Sequence, residues 1–191
     1  ASVEAAPPAE NMAWLAMLRD LMDPPEQSDA QIEQANRHAA EYADAPANDR
    51  LAEINALAQE FFTRRFPDSW AKPYLAERFG RDMAGDPVLR PGYAPDSWTG
   101  LVTHLRAQGV TNEEMLAAGV AKESSRGTLI DRFRDRAVLP IVHEDQILGF
   151  VGRRHPDKTE QDKAGPKYLN TAETALFVKG NQIGRASCRE R

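Results

Sequence analysis

From Arg50 to Phe66 the apolar residues return at helical spacing: Leu51, Ile54, Leu57, Ala58, Phe61 and Phe62. That period predicts an amphipathic helix whose aromatic stripe faces a core. Arg64 and Arg65 close it with the charge that suits a helix C-terminus. Two weaker helical patterns come first. Met12 to Met22 carries Trp14, Leu15, Leu18, Leu21 and Met22 on one face behind an Asn11 cap, and Asp23-Pro24-Pro25 stops it. Ser28 or Asp29 caps a second helix to about Tyr42, with a thin stripe of Ile32, Ala35, Ala39 and Tyr42. Downstream, Ala71 to Phe79 forms a short helix before Gly80, and Asp86 to Pro95 is rich in turn residues. Asp96 or Ser97 then caps a helix from Trp98 to Gln108, ended by Gly109. Thr111-Asn112-Glu113-Glu114 is close to a capping box and opens a helix to Ala118-Gly119.

The period then changes. In Asp131-Arg132-Phe133-Arg134-Asp135-Arg136, a helix would set Asp131 beside Asp135 and Arg132 beside Arg136 as like-charge neighbours. An extended chain alternates faces, placing the three arginines on one side and Asp131, Phe133 and Asp135 on the other. A strand is therefore expected. The apolar run Ala137 to Val142 continues it, His143-Glu144-Asp145-Gln146 turns, and Ile147 to Gly152 returns, ending in Arg153-Arg154. The result is a β-hairpin with cations at both open ends. Gly149 and Gly152 weaken a strand unless another strand or a nucleic-acid backbone approaches closely. Helices first and strands after give an α+β fold: a helical amino-terminal part, then a small, mostly antiparallel sheet with flanking helices.

Charge adds an asymmetry. The net charge is −5, yet residues 1–66 hold 5 Lys and Arg against 12 Asp and Glu, while the remainder holds 19 against 17. The basic groups gather around the strands, so a local cationic footprint coexists with an acidic total. No apolar run approaches the ~20 residues of a membrane span. The start, Ala1-Ser2-Val3-Glu4, does not resemble a signal peptide, and a cytoplasmic location without membrane association is expected. A single cysteine, Cys188, builds neither a disulfide nor a zinc knuckle.

Lys167-Tyr168-x-Asn170 sets a cation, an aromatic face and an amide within four residues, the groups that hold a phosphate, stack a base and bond a polar edge. His38, His104, His143 and His155 show no metal-ligand spacing, and Ser124-Ser125 has no assignable base for nucleophilic catalysis.

The ordered series D-R-F-R-x-R, L-P-I, G-F-x-G-R and P-K-Y-L-N-T-x-E-T-x-L-F-x-K-G, from Asp131 to Gly180, resembles the bacterial replicative primase family (DnaG-type). The likeness is to the amino-terminal half of that family's RNA-polymerase domain. It extends back through Gly119-Val120, Trp98 and Pro91-Gly92-Tyr93-Ala94-Pro95 to Tyr74-Leu75-Ala76-Glu77-Arg78.

The resemblance implies a template- and nucleotide-handling part of an enzyme that makes RNA primers on single-stranded DNA from ribonucleoside triphosphates. Arg132, Arg134, Arg136, Arg153, Lys167, Tyr168, Asn170 and Lys179 match the family pattern and would form its basic groove. A replicative helicase is a candidate partner. In such enzymes a following toprim domain supplies carboxylates for Mg²⁺ or Mn²⁺; no Asp-x-Asp is present here, so this chain is expected to bind no cofactor and to be inactive alone. The resemblance also divides the chain. Residues 1–46 form an acidic helical extension without an assigned role, and residues 47–182 form the primase subdomain. Residues 183–191 resemble the translation of a sequencing-adapter read, so the natural protein is expected to continue past Gln182. The Glu144-Asp145-Gln146 turn lacks a glycine usual in the family, Val151 stands where Gly is usual, and no Cys/His zinc module precedes the domain. These departures suggest a phage- or plasmid-type member. The competing reading is a non-enzymatic single-stranded nucleic-acid-binding or interaction module that shares the fold.

Overall fold

A computed structural model describes residues 48–143, 145–159, 162 and 164–176. The two helices expected before Asp44, Lys179 and the tail lie outside the described residues. Helix α1 (Asn48–Arg65) follows the predicted stripe: Leu51, Ile54, Ala58, Phe61 and Phe62 are all buried. At its end the Arg65 guanidinium lies 3.5 Å from the Phe61 ring centroid, so the cation covers the aromatic as well as the helix terminus. Helix α2 (Ala71–Phe79) stops at Gly80, which takes the left-handed conformation at φ 69°.

Strand β1 (Gly92–Ala94) lies inside the stretch that its turn residues suggested was irregular. Gly92 explains it: a Cβ there would sit 2.5 Å from Phe62 Cβ, so the strand rests directly on α1. Helix α3 (Gly100–Ala107) begins two residues later than expected, and neither Asp96 nor Ser97 caps it. Its open Leu101 and Val102 N–H groups donate instead to the Asp131 carboxylate, each at 2.9 Å. A carboxylate at the positive end of a helix is well placed, but this one arrives from another element. Helix α4 (Asn112–Ala117) carries the predicted capping box in full, Thr111 and Glu114 each accepting from the other's backbone N–H. Arg50 reaches Glu114 at 2.9 Å and ties α1 to α4.

Strands β2 (Ala121–Glu123) and β3 (Leu129–Asp131) form a separate two-stranded hairpin. Strands β4 (Arg136–His143), β5 (Gln146–Arg154) and β6 (Tyr168–Asn170) join β1 in an antiparallel sheet of order β1-β4-β5-β6. The expected hairpin is β4–β5, with Arg136 opposite Arg154 at its open end. Pro140 lies beyond the reach of β1, which pairs only with residues 136–138, so its missing N–H leaves no ladder bond unmade. One face of the hairpin presents Val138, Leu148 and Phe150 to α1; the other presents Ala137, Leu139 and Val151 towards α2. Burial on both faces is why β5 reads as a continuous apolar run.

The extended reading of Asp131–Arg136 holds only at its ends. Asp131 closes β3 and Arg136 opens β4, while Arg132 to Asp135 form the link, with Asp135 at φ 47°. Gly149 and Gly152 face the protein's own packing. A Cβ on Gly149 would meet Thr171 Oγ1 at 2.9 Å, and one on Gly152 would meet Phe133 Cδ1 at 2.8 Å. Among the described residues, no helix is long and apolar enough to cross a membrane.

Candidate nucleic-acid interface

Phe133 is the anchor of the link between β3 and β4. It is 1% exposed, and its ring meets Phe62 and Phe150 edge-on at centroid distances of 6.3 and 6.2 Å. With Phe133 fixed inward and Asp131 buried, Arg132 and Arg134 are directed outward. They line an open cleft of about 360 Å³ together with Arg136, Trp98, Lys122 and Lys158. Three arginines thus share one side, as the alternation implied, but a loop and not a strand puts them there. Asp135 does not turn away; it lines the same cleft.

The three arginines differ in what they already hold. Arg136 is 3% exposed and donates to the carbonyls of Gly152 at 3.1 Å, Ala164 at 2.8 Å and Pro166 at 2.9 Å. Burial, with Arg154 and Arg153 nearby, brings its pKa down to about 10. Its guanidinium is committed to holding residues 164–166 against the hairpin. Arg132 donates Nε to the Asn170 carbonyl at 2.9 Å, and burial lowers its pKa. Arg134 lies flat on Trp98, with 3.4 Å from Cζ to the ring centroid, and the indole is 61% exposed. A cation stacked on an exposed indole is a ready platform for a phosphate and a base.

Asp135 supports the cleft from beneath. Its carboxylate accepts from Trp70 Nε1 at 2.7 Å, Tyr93 Oη at 2.8 Å and Lys158 Nζ at 2.6 Å. Burial alone would raise its pKa; the bonds from Lys158, Trp70 and Tyr93 outweigh that and hold it below the ordinary carboxylate range. A group lowered on folding contributes stability that is full above its ordinary value of 3.8 and fades as the pH falls through the lowered one. We therefore expect Asp135→Asn to melt below the parent at neutral pH, by about 1–2 kcal/mol. The two melting curves should converge as the pH drops below about 4. A constant gap down to acid pH would mean that the charge contributes nothing.

The remaining expected site residues lie elsewhere. Arg153 pairs with Ala137 and so faces away from Arg136 and Arg154; its Cζ is 5.4 Å from the Tyr168 ring and 5.8 Å from that of Tyr74. Lys167 is exposed, with Nζ 5.7 Å from the Tyr168 centroid. Tyr168 and Asn170 line a second open pocket of about 280 Å³, and Arg132 borders both this pocket and the cleft. Arg132, Arg134 and Arg136 thus line the cleft and Tyr168 and Asn170 the adjoining pocket, while Arg153 and Lys167 line neither. Lys122, Lys158 and Asp135 had no local signal as site residues; Trp98 did, through the primase-like pattern around it. Among the described residues, no three His, Cys, Asp or Glu side chains come together in a group that could hold a metal ion. His155 packs on Trp70 at 4.4 Å and His104 on Phe61 at 5.2 Å.

Residues 61–185 match the family described as DNA primase catalytic core, N-terminal domain. The DNA primase of Deinococcus radiodurans is 38% identical over 148 residues, covering 75% of this chain and 24% of that protein. That of Mycolicibacterium smegmatis is 38% identical over 144 residues, 73% of this chain and 22% of that one. The chain therefore spans about a quarter of the length of these relatives. Among solved structures, it is similar to the RNA polymerase domain of Mycobacterium tuberculosis primase, in complex with a double-stranded DNA oligomer bearing a 6-nucleotide overhang. The TM-score is 0.60 at 32% identity, over 70% of this chain and 41% of that one. A DnaG primase catalytic domain bound to single-stranded DNA gives a TM-score of 0.57 at 26% identity, with 70% and 41% covered.

Proposed function

Because this chain belongs to the family of the DNA primase catalytic core, N-terminal domain, we propose that it handles template and nucleotide in a DNA primase that lays RNA primers on single-stranded DNA. The observation that carries this reading is the convergence of Arg132, Arg134 and the exposed Trp98 on one open cleft. Cations on the cleft wall take phosphates without regard to sequence, and the indole stacks on any base. The DNA held by the two solved relatives supports the same assignment.

In this reading Arg136 is a positioning residue, because its donors go to three backbone carbonyls. The pocket of Tyr168 and Asn170 extends the strand's seat, with Arg153 Cζ 5.4 Å and Lys167 Nζ 5.7 Å from the Tyr168 ring centroid; ribonucleoside triphosphates are the proposed substrates, and Lys179 belongs to the same proposed set. Nucleotidyl transfer itself needs Mg²⁺ or Mn²⁺ held by carboxylates of a following toprim domain. A replicative helicase is the proposed protein partner. A mobile-element origin is proposed from Glu144-Asp145-Gln146, which lacks the family's usual glycine, and from Val151; the relatives reported above are from bacteria.

The test separates a binding Lys167 and Tyr168 from a solvated lysine beside a packed tyrosine. Lys167→Ala should weaken binding of unrelated single strands alike and flatten the log–log salt slope by about 0.7, one phosphate's worth. Tyr168→Ala should lower affinity by ~1–3 kcal/mol per stacked base with the slope kept. Fluorescence anisotropy at several salt concentrations, with a melt of each variant, reads both. A silent Lys167→Ala together with a Tyr168→Ala that only lowers the melting temperature would overturn the assignment.

A further inference from the structure

Most cations of the cleft are already engaged. Arg136 holds three carbonyls, Arg132 holds the Asn170 carbonyl, Lys158 holds Asp135 and Arg154 donates to the Gly165 carbonyl. The β2–β3 hairpin beside the cleft differs. Lys122 lines the cleft from β2, and Arg126 stands at the hairpin tip. Both are exposed, and neither side chain makes a hydrogen bond or ion pair among the described residues. Glu123 follows Lys122, so strand alternation turns it to the opposite face.

The tip itself is held rigid. Ser124 Oγ accepts from the N–H of Arg126 at 3.3 Å and of Thr128 at 3.2 Å, and shares a 2.6 Å bond with Thr128 Oγ1. Ser124 N–H donates to the Thr128 carbonyl at 2.8 Å, and Gly127 takes φ 73° to close the turn. Ser124, which has no base partner for catalysis, here fixes the backbone that carries Arg126. An arginine on a preorganised turn loses less freedom on binding than one on a loose loop. Arg126 stands farther along the arm than Lys122 and, unlike Lys122, does not line the cleft.

We propose that the β2–β3 hairpin is a phosphate-contacting arm for single-stranded nucleic acid that leaves the cleft, with Lys122 at its base and Arg126 at its tip. The proposal rests on the cleft as the strand's main seat and extends it. Its signature is a dependence on strand length. A short strand fills the cleft and never reaches the tip; a longer one does.

The test measures anisotropy of labelled oligodeoxynucleotides of about 4 and about 16 nucleotides, a range typical of single-strand sites, against salt, for the parent, Arg126→Ala and Arg134→Ala. Arg126→Ala should bind the short strand like the parent and flatten the salt slope for the long one by about 0.7. Arg134→Ala should weaken both. Arg126→Glu should deepen the loss on the long strand alone, and its melting temperature should match the parent's, because the side chain is exposed. If Arg126→Ala matches the parent at both lengths while Arg134→Ala weakens both, the arm is wrong and the cleft stands. If the parent binds neither strand, both readings fall.

Discussion

Phe133→Ala is expected to lose about 3–5 kcal/mol of stability, the usual cost of emptying a buried aromatic site. Its ring is 1% exposed, edge-on to Phe62 and Phe150, and in contact distance of the Gly152 backbone. The strand and the helix on either side cannot easily collapse into the gap, because Phe62 and Phe150 also meet each other, at 5.4 Å. Domains of this size are stable by only ~5–15 kcal/mol, so about a fifth or more of the margin would go. Urea denaturation reads the loss as a lower midpoint with the slope retained. Phe133→Leu should recover part of it, since leucine refills some of the volume that alanine leaves empty. The functional corollary is specific. Phe133 is the pin between Arg132 and Arg134, so the alanine variant should weaken single-strand binding even where it remains folded, and the leucine variant should restore it. A variant that keeps the parent's midpoint would show that the ring does not anchor the loop.

How much of this could be read from the chain depends on how far apart the partners lie. The α1 stripe and the Thr111 capping box involve residues within a few positions of each other, and their spacing sufficed. The cap on α3 did not, because Asp131 comes from 29 and 30 residues away. Strand β1 was hidden by Gly92, whose turn-like identity reflects crowding against Phe62 and not a turn. The arginine series placed Arg132, Arg134 and Arg136 on one side, and all three line one cleft, but Arg136 is buried and Asp135 lines it too: a buried Phe133 and a left-handed Asp135 direct a loop, where a strand had been expected. The sequence also treated the three arginines as equivalent. Only the packing separates Arg136, bound to three carbonyls, from Arg134, lying on an exposed indole. Lys158 enters through Asp135, 23 positions away, and carried no local sign of it.

The proposed seat of single-stranded nucleic acid is the cleft, through Arg134 and Trp98, and a salt series on two variants tests it directly. Affinity for an unrelated set of single strands is followed across a salt series for the parent, Arg134→Ala and Trp98→Ala. Arg134 supplies a charge, so its loss should lower affinity for every strand and flatten the slope by about 0.7. Trp98 supplies a stacking face and no charge, so its loss should lower affinity by ~1–3 kcal/mol per base, roughly five- to 150-fold, at an unchanged slope. Both side chains meet solvent, and each variant should melt within ~0.5 kcal/mol of the parent. Parent-like affinity and slope in both variants, with folding intact, would contradict the account.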